Sequence, residues 1–313
     1  MAGRGFWARR RRLGVTQAGL LLIDKPVGPS SHDVVANARR ELGLKRIGHT
    51  GTLDPFASGL LLVCVGSATR LVEYFHVLPK TYEAGIVLGE RRDTDDLTGA
   101  IVASSQDWQS VDRAAFEEAI LDFEGSSEQR PPDYSARRQH GQRAYNAARG
   151  GAPLHLESRT VEVSDIRLID WSPPRADVIL SVSTGTYIRA IARDLGERLG
   201  CHAHLNSLRR TNIGAYHVSD SVPGATLARA TASLVPPLDA VGWLRRRKLT
   251  EEELEAVRVG KPIVQGEITS PVAPVSRLNN RILPVALHAH GKLVAIGVID
   301  GHLLRPVKVF HAA

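Results

Sequence analysis

Gly48-His49-Thr50-Gly51-Thr52-Leu53-Asp54-Pro55-Phe56-Ala57-Ser58-Gly59 runs without a break into Leu60-Leu61-Leu62-Val63-Cys64-Val65. The second stretch is apolar throughout and partly β-branched, so it reads as a buried strand or the edge of a buried helix. A glycine-rich stretch fastened to such a run is a loop held against the core. Its glycines let a ligand approach the backbone where a Cβ would obstruct it. Asp54 is the one acid in the loop. It is either a turn former, because Pro55 biases it away from helix, or a catalytic carboxylate. The loop closes on no Gly-Lys-Ser/Thr, which excludes a P-loop, and its glycine spacing does not fit a dinucleotide fingerprint.

Upstream, Gly19-Leu20-Leu21-Leu22-Ile23-Asp24-Lys25-Pro26 reads as a strand ending in a proline turn, and Ser30-Ser31-His32-Asp33 caps a helix reaching residue 42. Downstream, residues 82–89 read as a strand. Residues 91–99 read as a polar turn, whose acids Asp93, Asp95 and Asp96 lack the later ligands of a calcium-binding loop. An amphipathic helix is expected over 111–123. Residues 129–150 are basic with aromatics interleaved, a pattern that suits RNA because cations meet phosphates and planar groups stack on bases. Strands over 160–163 and 176–182 precede a helix over 190–199. From about residue 222 the composition shifts. Pro236-Pro237 and the run Arg245-Arg246-Arg247-Lys248 suggest a linker and the start of a second domain, with a helix capped at Thr250 and small strands near 264, 282–285 and 293–298, where His288 and His290 alternate on a strand.

Forty basic residues stand against 33 acidic ones, a formal charge of +7 over 313 residues. The surplus favours a polyanionic partner over a neutral metabolite. Cys64 and Cys201 form no disulfide framework, and Cys201-His202-Ala203-His204 lacks a fourth zinc ligand. No run approaches the roughly 18 apolar residues of a membrane span. The basic N-terminus has no apolar signal core, so the cytoplasm is expected.

Four stretches, in order, resemble the motifs of TruB-type tRNA pseudouridine synthases: Leu22-Ile23-Asp24-Lys25-Pro26, the loop from Gly48 to Leu61, Lys80-Thr81-Tyr82, and Ser183-Thr184-Gly185-Thr186-Tyr187-Ile188-Arg189. The resemblance covers most of residues 20–215. It implies an α+β catalytic domain around a mixed, mostly antiparallel sheet over 18–240, behind a disordered basic arm over 1–17. A small β-rich, PUA-like C-terminal domain is expected over 241–313. The implied activity is isomerisation of the tRNA T-loop uridine conventionally numbered 55 to pseudouridine. It needs no cofactor and no metal; the implied partner is the T-arm stem-loop, and a monomer is expected.

Carried over residue by residue, Asp54 takes the place of the catalytic carboxylate, Arg189 of its cation, and Tyr187 of the group assisting proton loss at C5. Tyr82 corresponds to the ring against which the base packs, and Leu208 to an apolar wall. His49 would fill the space the base leaves, and Lys25 would support the catalytic loop. Arg138 and Arg149 fall in segments implied to touch RNA; Arg138 stands where lysine is usual, which keeps the charge and alters its geometry. Without the resemblance, Lys25 is a lysine beside a turn, His49 a histidine satisfied in its loop, Tyr82 and Tyr187 core tyrosines, and Arg189 one half of a structural ion pair. The rival readings are a non-catalytic tRNA-binding or tRNA-folding protein on the same scaffold, and a related synthase for another RNA.

Overall fold

A computed structural model of the chain describes residues 18–135, 138–139, 142–150, 152, 154, 156–224, 227, 233–270 and 284–310. The arm over 1–17 lies outside them. The chain begins with β1 (Gly19–Lys25), α1 (Ser31–Leu42), β2 (Ile47–His49), β3 (Ser58–Val65), α2 (Val72–Phe75) and β4 (Lys80–Leu88). A hairpin of β5 (Glu90–Arg92) and β6 (Ile101–Ser104), then α3 (Arg113–Leu121) and β7 (Gly125–Gln129), lead to a small ribbon, β8 (Arg138–Gln139) and β9 (Gln142–Arg143), and to α4 (Ala144–Arg149). The unit closes with β10 (Arg159–Ser172), β11 (Arg175–Val182), α5 (Ile188–Arg198), β12 (Ala203–Ile213), β13 (Tyr216–His217) and β14 (Val222–Pro223).

The large sheet runs β14-β1-β3-β12-β4-β11-β10-β7, with β2 against β3 and β13 against β12. Only the β1–β14 and β3–β12 pairs are parallel within it, so the sheet is mixed and mostly antiparallel, as expected. The apolar run 60–65 is a strand, β3, buried on both faces. One face packs into a cluster with Val34, Val35 and Ala38 of α1, and the other into a cluster with Phe75 and Leu78. The Ser30 hydroxyl caps α1 and Asp33 returns the bond in a capping box. Strand β10 extends nine residues past the expected 160–163, to Ser172, because its pairing with β11 continues to Ser172↔Arg175.

A second sheet of five strands has the order β15-β17-β18-β19-β16: β15 (Arg245–Lys248), β16 (Ile263–Val264), β17 (Val285–Ala289), β18 (Lys292–Asp300) and β19 (Leu303–Val309). The basic run 245–248, read from composition as the start of a domain, is strand β15 of this sheet. Arg247 turns its guanidinium onto Glu253 at 2.8 Å, and Arg246 turns its own onto Leu238 O. His290 does not alternate with His288 on a strand; it sits in the turn after β17 with φ +50°. One hydrophobic cluster joins the two sheets: Leu60, Leu62, Phe75 and Ile213 pack with Leu244, Ala286, Ile296 and Phe310. Arg70 donates to Val309 O and Lys308 pairs with Glu73 across the same seam.

Candidate active site

The glycine-rich loop crosses the end of the large sheet where β1 finishes, β3 begins and β12 passes alongside. Five consecutive carbonyls of the loop are each bound. Gly51 O accepts from Arg210 Nη2 (3.2 Å), Thr52 O from Arg210 Nη1 (3.3 Å), and Leu53 O from Ser31 Oγ (3.1 Å). Asp54 O accepts from Ala57 N (3.1 Å), and Pro55 O accepts from Gly28 N (2.8 Å) and from Lys25 Nζ (3.4 Å). Side chains from α1, β1 and β12 therefore hold the peptide on either side of Asp54. Bonds to these five carbonyls from three different elements restrict the backbone on either side of Asp54.

Gly59 permits this arrangement. Its φ is +103°, and a Cβ there would lie 2.2 Å from Arg210 O. The loop is also anchored by its own apolar side chains, since Leu53, Phe56 and Ala57 enter the main core cluster alongside Tyr82, Leu208 and Ile188.

Asp54 faces a helix. Its Oδ2 lies 3.0 Å from Arg189 Nε, with the carboxylate side chain 36% exposed and the arginine side chain 6%. Tyr187 precedes α5, and its backbone is held by Gln129, whose Oε1 accepts from Tyr187 N (2.8 Å) and whose Nε2 donates to Tyr187 O (3.1 Å). That clamp fixes where α5 starts, and hence where Arg189 points. The remaining guanidinium nitrogens of Arg189 donate to Thr94 O (2.9 Å) and Tyr134 O (3.1 Å), and Nη1 also lies 3.4 Å from Asp96 Oδ2. One turn later on the same helix face, Arg193 Nη1 meets Asp95 Oδ2 at 3.1 Å.

The segment read as a polar turn is thus the buried acidic wall of the site. Asp95 and Asp96 are 6% and 4% exposed. Asp96 Oδ1 accepts from Thr94 Oγ1, Thr98 N and Thr98 Oγ1, and the backbone is tied to β12 through Leu205 N→Asp95 O and Leu97 N→Leu205 O. Burial pushes the Asp95 carboxyl up to about 6, against the charge of Arg193.

The other expected residues surround this pair. Lys25 is fully buried. Its ammonium donates to Pro26 O, Pro29 O and Pro55 O, and burial lowers it to about 8 against the attraction of Asp54. It acts on the loop and does not open onto the surface. Tyr82 and Leu208, on neighbouring strands, are each 8% exposed in the cluster beneath the loop. Tyr187 is half-buried, with the Arg159 guanidinium 5.3 Å from its ring centre. His49 packs edge-on against His32, with ring centres 5.2 Å apart. Its Nδ1 is buried with no hydrogen-bond partner among the described residues, and burial, with the nearby cations, lowers it to about 4. Arg138 lies in the ribbon strand β8 and Arg149 ends α4, but their side chains lie outside the described residues.

Motif reading missed four residues of the site: Arg210, Ser31, Gln129 and Arg193. Ser31 sits in a helix-capping run and Arg210 beside a second arginine, so neither stands out locally. Among the described residues, no group of three or more His, Cys, Asp and Glu is arranged to hold a metal ion, and no helix is long and apolar enough to cross a membrane. His204 Nδ1 lies 3.2 Å from Glu90 O.

A carboxylate on a backbone-clamped loop, facing one guanidinium, is set up to act as an anion on a bound molecule. Comparison with known proteins identifies the family. Residues 39–188 match the model described as TruB family pseudouridylate synthase (N terminal domain), and residues 189–248 match that of the tRNA pseudouridylate synthase B C-terminal domain. A protein of Synechococcus sp. (strain WH7803) named tRNA pseudouridine synthase B is 39% identical over 307 residues, 94% of this chain and 98% of its own length. The chain belongs to the TruB family of pseudouridine synthases. A Bordetella pertussis (strain Tohama I) protein of the same name is 43% identical over 213 residues, 68% of this chain and 87% of its own. Among solved structures, that of a Cbf5–Nop10–Gar1 complex superposes with a TM-score of 0.72 at 26% identity, covering 95% of this chain and 86% of that one. The TruB-family match spans the loop that carries Asp54, the acidic wall and Tyr187, and Arg189 is the first residue of the C-terminal match.

Proposed function

We propose that this chain converts the T-loop uridine of tRNA, position 55, to pseudouridine, with Asp54 as the catalytic carboxylate. The observation that carries the reading is the Asp54–Arg189 pair at 3.0 Å on a loop with every carbonyl from Gly51 to Pro55 bound. Curated relatives sharing about two fifths of their residues with this chain carry the name tRNA pseudouridine synthase B, which supports tRNA as the substrate.

The reaction breaks the N1–C1′ bond of uridine, turns the uracil over, joins C5 to C1′ and releases the C5 proton. It is redox-neutral. Asp54 serves it either as a nucleophile or as the base that takes a sugar proton, and both routes need an anion held in one place. Arg189 supplies the counter-charge and fixes the direction of attack. A uridine within a folded loop reaches Asp54 only when flipped out, at a cost of a few kcal/mol. Stacking on the Tyr82 ring would return roughly 1–3 kcal/mol, with Leu208 as the apolar wall beside it. On this reading His49, neutral at physiological pH, fills the gap left in the RNA, and Tyr187 assists loss of the C5 proton. On this reading residues 18–240 form the catalytic unit, residues 241–313 a PUA-like unit that helps hold the RNA, and the enzyme works as a cytoplasmic monomer.

The test is tritium release from a T-arm hairpin labelled at uracil C5, because the label leaves only after C5 bonds to the sugar. Wild type should release it, and Asp54→Asn should not, while binding the hairpin within about tenfold of wild type, since the change removes charge and little volume. Near-wild-type release by Asp54→Asn would refute the assignment of Asp54. Tight hairpin binding by wild type without release would favour an RNA-binding role or another RNA target.

A further inference from the structure

One pair of strands holds Tyr187 at two points. Gln129 of β7 clamps its backbone through both amide atoms. Arg159 of β10 stands directly opposite Gln129 in the β7–β10 pairing, and its guanidinium lies over the Tyr187 ring, 5.3 Å from the ring centre. Gln129 and Arg159 are cross-strand partners, so the backbone clamp and the ring contact keep a fixed spacing.

The turn that leads to Tyr187 is tied to the same strand. Ser183 N donates to Glu162 O at 2.8 Å, and Glu162 N donates to Ser183 Oγ at 2.9 Å. Thr186 Oγ1 donates back to Ser183 O at 3.1 Å. Between them Gly185 has a φ of +86°, and a Cβ there would stand 2.1 Å from Arg159 Nη2 and 2.6 Å from its Cζ. The guanidinium thus occupies the space that a side chain at 185 would fill, on its way to the ring.

Taken singly, these features are ordinary. A positive φ accounts for a glycine without any arginine, and a cation over an aromatic ring is common. Together they converge on one side chain. The Gln129 clamp fixes the Tyr187 backbone and leaves χ1 and χ2 to be set by other contacts. The residue is half-buried, so enclosure alone does not set them. The Arg159 guanidinium, attracted to the face of the ring, does.

We propose that Arg159 is a positioning residue for the reaction: it holds the Tyr187 ring in the orientation from which the phenol assists loss of the C5 proton, and glycine at 185 lets it reach that ring. The inference rests on the proposed function. In the assisted step the C5–H bond breaks and its electron pair forms the C5=C6 double bond. The C6=N1 pair moves onto N1, which takes a proton from solvent, and the phenol oxygen accepts the C5 proton as its own passes to solvent. The guanidinium enters none of these bonds and acts through the ring alone.

The experiment compares wild type, Arg159→Gln, Arg159→Lys and Gly185→Ala on a T-arm hairpin whose target uracil carries hydrogen or deuterium at C5. Pseudouridine formation is followed in single turnover and in the steady state. Arg159→Gln removes the cation. It should lower kcat by about ten- to a hundredfold, the scale of a misplaced reacting group, with KM within about twofold. It should also raise the deuterium isotope effect above that of wild type, because C5–H cleavage becomes the slower step. Gly185→Ala keeps the arginine but takes its space, and should give the same pattern. Arg159→Lys returns a cation to the ring and should recover the greater part of the rate. A rate loss with the wild-type isotope effect would assign Arg159 to the fold of the turn, and a change confined to KM would assign it to RNA docking. Either result overturns the inference, as does an unchanged rate in both Arg159→Gln and Gly185→Ala. If urea unfolding shows that Arg159→Gln does not fold, the isotope effects of Gly185→Ala and Arg159→Lys decide. Absence of turnover by wild type would remove the proposed function and this inference with it, whereas turnover with an unmoved isotope effect removes the inference alone.

Discussion

Arg189 meets Asp54 through Nε, 3.0 Å from Oδ2, and keeps both terminal nitrogens for Thr94 O, Asp96 and Tyr134 O. The pair is thus one side of a rigid frame that joins the glycine-rich loop, the acidic wall and α5. A lysine has the charge but a single ammonium on a flexible stem, which cannot reach all of these oxygens together. Arg189→Lys should lower kcat by about a hundredfold or more, the scale of losing an oriented electrostatic contact, and leave hairpin affinity within about tenfold. Single-turnover tritium release beside filter binding separates the two, and a loss confined to affinity would place Arg189 in RNA docking.

Gly59 and Arg210 make a second constraint on the same loop. A methyl group at Gly59 would stand 2.2 Å from Arg210 O and 2.7 Å from Arg210 N, in a backbone region L side chains rarely adopt. Gly59→Ala should cost at least about 2 kcal/mol from backbone strain and overlap together. By displacing β12 it should also free Gly51 O and Thr52 O and reduce kcat. Urea unfolding with activity measured on the same preparation checks both; an unchanged midpoint would mean that β12 yields without cost.

The large sheet was legible because β1 and β3 are nearly pure apolar runs, and Asp54 and Arg189 because each sits in a contiguous motif. Arg210 was not. In Leu208-Arg209-Arg210-Thr211 two adjacent arginines look alike, and strand alternation sends one outward to Asp24 at 2.8 Å and the other inward to Leu60 O at 2.8 Å. Nor did the local pattern of residues 91–99 reveal a buried wall. Asp95 is paired with Arg193, 98 positions away, and only the i, i+4 spacing of Arg189 and Arg193 hints that one helix face serves two acids. Strand β15 escaped for a related reason: three arginines and a lysine after Pro236-Pro237 read as a linker and a domain start, and only Arg246 and Arg247 finding Leu238 O and Glu253 across the fold shows a strand there.

Lys80, 8% exposed, has no carboxylate partner among the described residues; its ammonium donates to Leu78 O at 2.6 Å and His76 O at 3.3 Å. Burial, aided by the charge of Arg210, lowers it to about 7 from an ordinary 10.5. Between these values the unfolded chain holds a proton that the folded chain has lost, so stability from this group rises with pH across that window. Relative to Lys80→Met, wild type should gain stability steadily from about pH 7 to 10, with the larger part of the change above pH 8. Denaturant midpoints at four pH values check it, and parallel curves for the two proteins would mean that Lys80 keeps its proton in the fold.

Arg193 and Asp95 offer a test of the acidic wall with the opposite sign. Asp95, raised to about 6, holds a proton in the fold between the unfolded value of 3.8 and 6, so its contribution falls as pH rises through that window and is least favourable above it. Arg193 is what makes the ionised form tolerable at neutral pH. Arg193→Leu leaves Asp95 without its cation while filling similar space, and breaking a buried pair from one side costs about 3–5 kcal/mol. That loss is expected at pH 7.5. At pH 5 Asp95 is protonated in both proteins, so the difference should narrow. Because Asp95 and Asp96 share one strap onto β12, the variant should also loosen the Asp96–Arg189 contact and lower kcat at pH 7.5 with little change in KM. Urea unfolding at the two pH values is the deciding measurement. A loss of equal size at both would assign it to the bonds Arg193 makes with Arg130 O and Asp194, and would remove Asp95 from the account.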